Sequence, residues 1–195
     1  VMRSKKNICK YLDVALQHIS TPVLKRMHRN ITKEETIEFI NKIREEVPGI
    51  TLRTTMMVGF PGETEEDFQE LIDFVKWAKF ERLGAFYYSE EDGTYSATHY
   101  KDDVPQEIKQ VRLDKLMRVQ QNISLDFQNK QIGEEFVVVI DRKEGDWYIA
   151  RSEYSSPDID PEILIPVKEK KLQIGNYYNV RVTGAEEFDL YATCL

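Results

Sequence analysis

A short loop rich in glycine and proline carries the residues of this sequence that are best suited to chemistry. Gly59-Phe-Pro-Gly62-Glu63 follows an apolar run that begins at Ile50 and precedes Thr64, which lies three residues before Asp67. Strand, tight loop and helix in this order form half of a βαβ unit, and the Thr64–Asp67 spacing predicts a capping box at the start of the helix. Glycines adopt backbone angles that other residues avoid, so the chain can pass close to a bound molecule. A helix N-terminus favours a carboxylate or a polar ligand, although such a loop can equally be a mere connection.

The histidines and cysteines do not form a metal-binding pattern. His18, His28 and His99, together with Cys9 and Cys194, lack the spacing of known ligand sets. We therefore expect neither a metal site built from these residues nor a disulfide between the two cysteines. A lone histidine is more often a hydrogen-bonded filler than a ligand, so His18 is interpreted as structural.

Two kinds of pattern divide the sequence. In the first, strands alternate with amphipathic helices, which predicts a parallel sheet, open or closed into a barrel. The predicted strands are 8–16, 50–58 and 82–88, and the predicted helices are 22–29, 32–47, 64–79 and 105–130, with a loop at 96–104. The second pattern, five short runs between residues 135 and 192, predicts a small antiparallel barrel of the OB type. One basic cluster is interpreted as a solvated helix face: Lys25, Arg26, His28 and Arg29.

Composition and charge narrow the classes of function. The chain has 195 residues, of which 41% are hydrophobic and 31% charged, enough for one large or two small globular domains. It contains no apolar run long enough to span a membrane and no signal-peptide pattern, so we expect a cytoplasmic protein without a membrane partner. The net charge is −7, and residues 130–195 hold 8 Lys and Arg against 13 Asp and Glu. Such an acidic surface repels phosphate backbones and attracts basic proteins.

Three segments together carry a family resemblance. Residues 53–64 read Arg-Thr-Thr-Met-Met-Val-Gly-Phe-Pro-Gly-Glu-Thr, with Leu-Gln-His-Ile-Ser at 16–20 before them and Tyr-Ser-Glu-Glu-Asp-Gly-Thr at 88–94 after them. This combination resembles the later half of the radical S-adenosylmethionine (SAM) methylthiotransferases, and the last third of the chain resembles the TRAM domain of those enzymes. The resemblance implies a partial (βα) TIM-type radical SAM barrel in residues 1–129 and a TRAM domain in residues 130–195.

The sequence is more similar to one of the two branches of this family. One branch modifies an adenosine of transfer RNA, and the other methylthiolates the β-carbon of an aspartate in the small-subunit ribosomal protein numbered twelve. Residues 9–20, 150–160 and 188–191 resemble the protein-modifying branch, whereas the transfer RNA branch usually has Ser-Gly-Ser after the glutamine. The acidic tail agrees, because a barrel that held transfer RNA should be basic. We therefore expect a basic ribosomal protein as substrate, docked partly by the TRAM domain, and regard transfer RNA as less favoured.

Small departures from the family pattern concern the basic cluster. Residues 28–30, His-Arg-Asn, stand where a second arginine and a glycine are common, and Ala15 stands where a proline is common. These departures leave the role of the cluster open.

The resemblance also implies cofactors and a candidate site. In this family a 4Fe-4S cluster on a Cys-x-x-x-Cys-x-x-Cys loop reduces SAM to a radical, and a second 4Fe-4S cluster supplies sulfur. Neither cysteine set is present, so we expect this chain alone to be inactive and predict no catalytic or metal-ligating residue in it. The residues predicted to bind SAM are Gln17, Arg53, Thr55, Gly59, Phe60, Pro61, Gly62 and Glu63.

The predicted site residues have different tasks. Gln17, Arg53 and Thr55 would hold the methionine carboxylate or the ribose hydroxyls, and the loop at 59–63 would approach the adenine and ribose. Alternatively, Arg53 is a structural ion-pair partner and Glu63 only favours the helix N-terminus.

Two further expectations concern the chain as a whole. A partial barrel exposes a sheet edge and apolar surface, so we expect some self-association. The alternative to part of an enzyme is a non-catalytic module whose barrel docks on the ribosome or on RNA.

Overall fold

The computed structural model describes residues 1–168 and 170–195 and divides into two compact units. Residues 12–120 form one unit, called the α/β unit below. Residues 1–11 and 121–195 form the other, called the barrel unit. The boundary between sequence domains at residues 129–133 stays a prediction.

A three-stranded sheet organises the α/β unit. The helices and strands between residues 11 and 129, in chain order, are β1 (Tyr11–Asp13), α1 (Thr21–Arg26), α2 (Lys33–Glu46), β2 (Thr51–Val58), α3 (Glu65–Ala78), β3 (Arg82–Tyr87), α4 (Tyr95–His99) and α5 (Gln106–Asn129). The strand order is β1-β2-β3, and β2 pairs with β3 in parallel from Arg53↔Arg82 to Val58↔Tyr87. Because parallel strands end at the same edge, the loops that follow them share that edge of the sheet.

Helices α2 and α3 of the α/β unit begin where the sequence predicts. Thr32 accepts a hydrogen bond from the Glu35 N–H and donates its own N–H to the Glu35 carboxylate, which closes a capping box. Thr64 and Asp67 form the same reciprocal pair at the start of α3. Capping boxes satisfy N–H groups that have no partner inside the helix, so they fix the first residue of each helix.

Three local predictions about the α/β unit are wrong. The strand at 8–16 is paired over Tyr11–Asp13, and Gln17, in the left-handed region at φ 68°, makes only an isolated bridge with Met56. Helix α1 ends at Arg26 rather than residue 29, because His28 also adopts a left-handed conformation, at φ 56°. The predicted loop at 96–104 begins with α4, whose first turn is capped by the Thr94 hydroxyl.

The second unit contains a closed five-stranded barrel, as the sequence predicts. Its strands are β4 (Glu135–Glu144), β5 (Trp147–Arg151), β6 (Ile163–Pro166), β7 (Tyr177–Ala185) and β8 (Leu190–Cys194), in the order β4-β5-β6-β8-β7. The prediction of an antiparallel barrel needs one correction, because β6 and β8 pair in parallel. These two strands are not consecutive in the chain, so no hairpin forces them to run in opposite directions. Closure pairs β7 with β4 and leaves no free strand edge in the barrel.

The barrel interior is filled by alternate side chains of its strands. Ile140 and Val180 are completely buried, and Ile165 is 1% exposed. Alternation of this kind sends every second residue inward, which explains why short runs of valine and isoleucine predict the strands. Among the helices of the residues that the structure describes, none is both long and apolar enough to cross a membrane.

We expect Ile165→Ala to lower the free energy of unfolding of the barrel by about 2–5 kcal/mol, because it leaves a cavity in a closed core. Ile174→Ala is the matched control, since Ile174 is 61% exposed and its truncation should cost less than about 0.5 kcal/mol. Urea unfolding followed by Trp147 fluorescence, in a Trp77→Phe background, measures both. Equal losses in the two variants would contradict the assignment of Ile165 to the core.

Candidate functional site

The loop after β2 closes on its own carboxylate. Gly59 and Gly62 have φ angles of 70° and 82°, which turn the chain sharply between β2 and α3. The Gly59 N–H donates a hydrogen bond to Glu63 Oε2 at 2.7 Å, and the Glu63 N–H donates to the Phe60 carbonyl at 2.9 Å. These bonds hold residues 59–63, called the glycine loop below, in one compact turn.

The Glu63 side chain is fully buried and compensated by partners from other segments. Arg112 Nη1 on α5 donates to Glu63 Oε1 at 2.8 Å, and His18 Nε2 lies 3.6 Å from Glu63 Oε2. His18 Nδ1 accepts the Ser20 N–H at 3.0 Å, so a neutral His18 ring carries its proton on Nε2, on the side of Glu63. This geometry supports the structural role predicted for His18.

Both glycines are required by close neighbours as well as by their backbone angles. A Cβ atom on Gly59 would lie 2.4 Å from Lys109 Cγ, and one on Gly62 would lie 2.7 Å from Arg26 Cζ. Lys109 is 2% exposed, and its ammonium donates to the Tyr88 carbonyl at 3.1 Å. Side chains of α1 and α5 therefore fill the space beside the loop.

A cavity of about 330 Å³ lies beside the glycine loop, a volume within the range of small-molecule sites. It is lined by Gln17, Arg26, Met27, His28, Arg29, Met57, Phe60, Tyr95 and Ser96. Among the described residues, the lining has two arginines and apolar or aromatic walls but no acidic side chain. Such a lining suits a ligand that carries a carboxylate and an apolar or aromatic group.

Gln17 gives the cavity a polar atom without a partner. Its backbone bonds to both Thr55 and Met57, donating to the Thr55 carbonyl and accepting from the Met57 N–H. The side-chain atom Gln17 Oε1 is buried and has no hydrogen-bond partner in the part of the chain that the structure describes. A buried polar atom of this kind is costly unless a ligand or water pairs with it, so a ligand with ammonium or hydroxyl donors, as SAM has, would satisfy it.

The structure distributes the predicted SAM-binding residues unevenly. Gln17 and Phe60 line the cavity, and the rest of the glycine loop is turned toward its own neighbours: the Pro61 carbonyl accepts from Arg26 Nε at 2.8 Å, and the Gly62 N–H donates to Asp103. Arg53 and Thr55 lie further back along β2 and do not line the cavity. Arg53 pairs with Asp13 at 2.6 Å, as in the alternative interpretation of this residue.

Several residues of this region are missed by the sequence interpretation. Arg26 is not part of a purely solvated face, because it lies 4.1 Å from the centre of the Tyr100 ring and bonds to the glycine loop. Lys109 and Arg112 are charged residues in a long helix, and nothing in their spacing of three marks them as buried. The available sequence signal is their spacing from the apolar residue Leu116, which places Lys109 and Arg112 on the same face of the helix as Leu116.

The described residues hold no group of three His, Cys, Asp or Glu side chains that could bind a metal ion. The iron–sulfur clusters implied by the family resemblance therefore do not fit this set of residues.

Comparisons with known proteins define the class. Residues 1–75 match the model of the Radical SAM superfamily, and residues 132–195 match that of the TRAM domain. A solved structure, coproporphyrinogen III oxidase (HemN) from Escherichia coli, described as a radical SAM enzyme, is similar in fold with a TM-score of 0.50 and 19% identity, over 60% of this chain and 27% of that one. The chain thus combines a radical SAM fold with a TRAM barrel, which confirms the predicted fold class.

Whole-chain similarity is more specific. The sequence is 57% identical over 195 residues to ribosomal protein uS12 methylthiotransferase RimO of Bacteroides thetaiotaomicron and 58% identical to that of Parabacteroides distasonis, covering 100% of this chain and 45% of each relative. The protein of the same name from Christiangramia forsetii is 49% identical over 191 residues. Over its whole length the chain is similar to proteins of the RimO branch of the radical SAM methylthiotransferases, in agreement with the predicted resemblance. It spans less than half the length of these curated relatives.

We expect Gly59→Ala to destabilise the α/β unit by about 1–3 kcal/mol more than Gly49→Ala. Both glycines have positive φ, at 70° and 78°, but a Cβ on Gly49 meets no atom within 4 Å, whereas one on Gly59 meets the buried stem of Lys109. The comparison isolates the steric contact, because backbone strain is common to both variants. Chemical denaturation monitored by Trp77 fluorescence measures it. Equal destabilisation would show that the Lys109 stem is free to move aside.

The pKa of Asp67 predicts a pH-dependent contribution to stability. Burial alone would raise the pKa of this carboxyl, but hydrogen bonds from the Ser20 hydroxyl and from the Thr64 N–H and hydroxyl, with the His18 ring nearby, hold it below its ordinary value of 3.8. Because the pKa is depressed in the folded state, the stabilisation is fully present above the unfolded value and is lost as pH falls through the folded value.

We therefore expect Asp67→Asn to lower the free energy of unfolding most at pH 6, with the difference from the wild type shrinking as the pH approaches 3. Urea midpoints between pH 3 and 7 measure this. A difference that stays constant with pH would contradict the ionic role of Asp67.

Proposed function

We propose that this chain is part of a radical SAM enzyme that methylthiolates the β-carbon of an aspartate in ribosomal protein uS12. The observation that carries the proposal is the 57% identity, over all 195 residues, to a protein named for that activity. A cytoplasmic location is part of the proposal, since the substrate is a ribosomal protein. The domains proposed are residues 1–129 for the radical SAM part and 130–195 for the TRAM domain.

The α/β unit would bind and orient SAM, which supplies the radical chemistry when it is bound. Gln17 Oε1 would accept a hydrogen bond from the ligand, and the apolar wall at Phe60 would exclude water from it. The glycine loop, from Gly59 through Pro61 and Gly62 to Glu63, would bring backbone atoms close to the adenine and ribose. Thr55 and Arg53 remain proposed ligands, and Arg53 would have to exchange Asp13 for the ligand carboxylate.

The iron–sulfur clusters do not enter this account, because the described residues offer them no ligand set. The two 4Fe-4S clusters of the proposed enzyme would be held by residues outside this chain. We therefore expect the isolated chain to bind SAM without catalysing the methylthiolation.

The barrel unit offers a surface for a basic protein. A groove of about 710 Å³ on this unit contains three exposed glutamates, Glu134, Glu135 and Glu153, beside the exposed side chains Val137 and Tyr177. We call it the acidic groove. Negative charge beside apolar surface suits a segment rich in lysine and arginine and disfavours a phosphate backbone.

Two arginines in or beside the acidic groove are already paired with carboxylates. Arg151, in its lining, bonds to Asp141 at 2.9 Å, and Arg181 bonds to Glu135 at 2.6 Å. Glu134 and Glu153 thus add to a net negative lining. This charge balance favours the ribosomal protein over transfer RNA as the partner of the barrel.

We expect the chain to capture purified uS12 in preference to unmodified transfer RNA, and to lose that capture as salt rises, because the attraction is electrostatic. A pull-down at low and high salt measures this. Preferential capture of transfer RNA would contradict the choice of substrate, and capture of neither would contradict docking by this chain.

A charge-neutral variant localises the interaction. Glu134→Gln combined with Glu153→Gln should weaken uS12 binding about fivefold, as expected for two exposed charges at an interface. Glu45→Gln combined with Glu46→Gln removes the same charge from the exposed end of α2 and is the control. Equal weakening by both pairs would mean that only net charge matters and that the acidic groove has no special role.

A further inference from the structure

The first turns of α5 reach the glycine loop at two separate points. Lys109 packs its stem against Gly59, leaving no room for a Cβ there, and Arg112 bonds to Glu63. Both side chains are buried, at 2% and 6% exposure. Buried basic side chains need compensating partners, so such an arrangement is specified rather than incidental.

Each basic residue is tied to a second group that fixes its position. Lys109 Nζ donates to Asp102 Oδ2 at 2.5 Å as well as to the Tyr88 carbonyl at the end of β3. Arg112 Nη1 donates to both the carbonyl and the carboxylate of Glu63, and its Nη2 lies 3.3 Å from Glu65 Oε2. Directional hydrogen bonds of Arg112, and a Lys109 stem whose ammonium is fixed by its own hydrogen bonds, therefore hold the glycine loop against α5.

The position of the Gly59 N–H depends on this clamp. Glu63 Oε2 accepts that N–H, while Glu63 Oε1 is held by Arg112. If Arg112 lost its charge, the buried carboxylate would lose its positive partner from α5 and would be driven to turn toward water. That movement would release the Gly59 N–H and alter the backbone beside the cavity.

We propose that Arg112, assisted by Lys109, is a positioning residue that holds the glycine loop in the conformation that receives SAM. The proposal rests on the proposed function for the identity of the ligand. Neither residue lines the cavity, so both act through the loop rather than by touching the ligand. The assignment extends the site to a helix that begins more than 40 residues after the loop.

The test uses the 195-residue chain with Arg112→Met, which removes the charge and keeps a long apolar side chain. Arg118→Met is the matched control, because Arg118 is an exposed residue of the same helix. Amide hydrogen exchange, measured by NMR without ligand, follows the Gly59 N–H, with the buried Leu71 amide of α3 as internal reference for global unfolding.

We expect Arg112→Met to speed exchange at Gly59 about tenfold more than at Leu71, since the hydrogen bond to Glu63 is weakened locally. The control should leave the ratio unchanged. Arg112→Lys, which keeps the charge but not the paired donors, should restore the ratio in part. Equal acceleration at Gly59 and Leu71 would mean a merely structural role and would overturn the proposal.

The second readout is the affinity for S-adenosylhomocysteine, measured by calorimetry. Arg112→Met should weaken it about tenfold, and Arg118→Met should not. If the wild-type chain itself fails to bind, the SAM assignment of the proposed function fails in this chain, whereas the exchange measurement still decides whether Arg112 positions the loop.

A double variant covers the case in which Arg112→Met does not fold. Arg112→Met with Glu63→Gln removes both charges, so no unpaired carboxylate remains buried, and folding should recover. Its affinity for S-adenosylhomocysteine should still be about tenfold weaker than that of the wild type, because the clamp between α5 and the loop is lost. Wild-type affinity in the double variant would overturn the proposal.

Discussion

A carboxylate that is buried away from water must be matched by donors, and the glycine loop is arranged around one such group. Glu63 is matched by Arg112 from α5 and by the Gly59 N–H, with the proton-bearing edge of the His18 ring nearby. Arg112 and His18 come from segments that are distant from the glycine loop in sequence. Their convergence on one side chain fixes the loop, the strand end before it and the helix that follows it relative to one another.

The same constraint explains the amino acids beside the loop. Gly59 and Gly62 leave room for the side chains that hold the turn, which belong to Lys109 and Arg26 respectively. The start of α3 is stabilised separately by the Asp67 carboxylate, which accepts hydrogen bonds from the Thr64 N–H and from the Ser20 hydroxyl. Ser20 lies in the loop after β1, two residues beyond His18. Its charge-assisted hydrogen bond to Asp67 therefore links this loop to the start of α3. These contacts fix the segments that carry Gln17 and Phe60, which line the cavity, and a binding site requires such fixed positions.

The barrel unit is built on a different principle. Its core is apolar, and the backbone hydrogen bonds of its strands pair around a closed ring. The barrel fold therefore does not depend on a buried ion pair. Charge is concentrated outside, where Glu134 and Glu153 contribute to the acidic groove. Exposed charges of this kind contribute little to the free energy of unfolding, but they strongly affect which partner approaches. The two units thus use ionic groups for opposite purposes, one for internal positioning and the other for an outer surface.

The sequence by itself determined the features that depend on neighbouring residues. Capping boxes at Thr32 and Thr64, the stripe of α3 and the short strands of the barrel are local patterns, because periodicity and caps involve residues a few positions apart. The family motif is local in the same sense. Single left-handed residues were not foreseeable: His28 ends α1 early, and Gln17 leaves the extended conformation after β1, because their tertiary surroundings outweigh their intrinsic preference.

Only the tertiary structure decided which charges are buried and with whom. Arg112 and Glu63 are 49 residues apart, and Arg26 reaches Pro61 across 35 residues, so no spacing in the sequence connects them. A basic residue on a helix is ordinarily solvated, and it becomes an internal partner only when folding places a carboxylate or a carbonyl within hydrogen-bond distance of it. The sequence therefore indicated the loop that receives the ligand, whereas the packing of α1 and α5 determined what holds that loop in place.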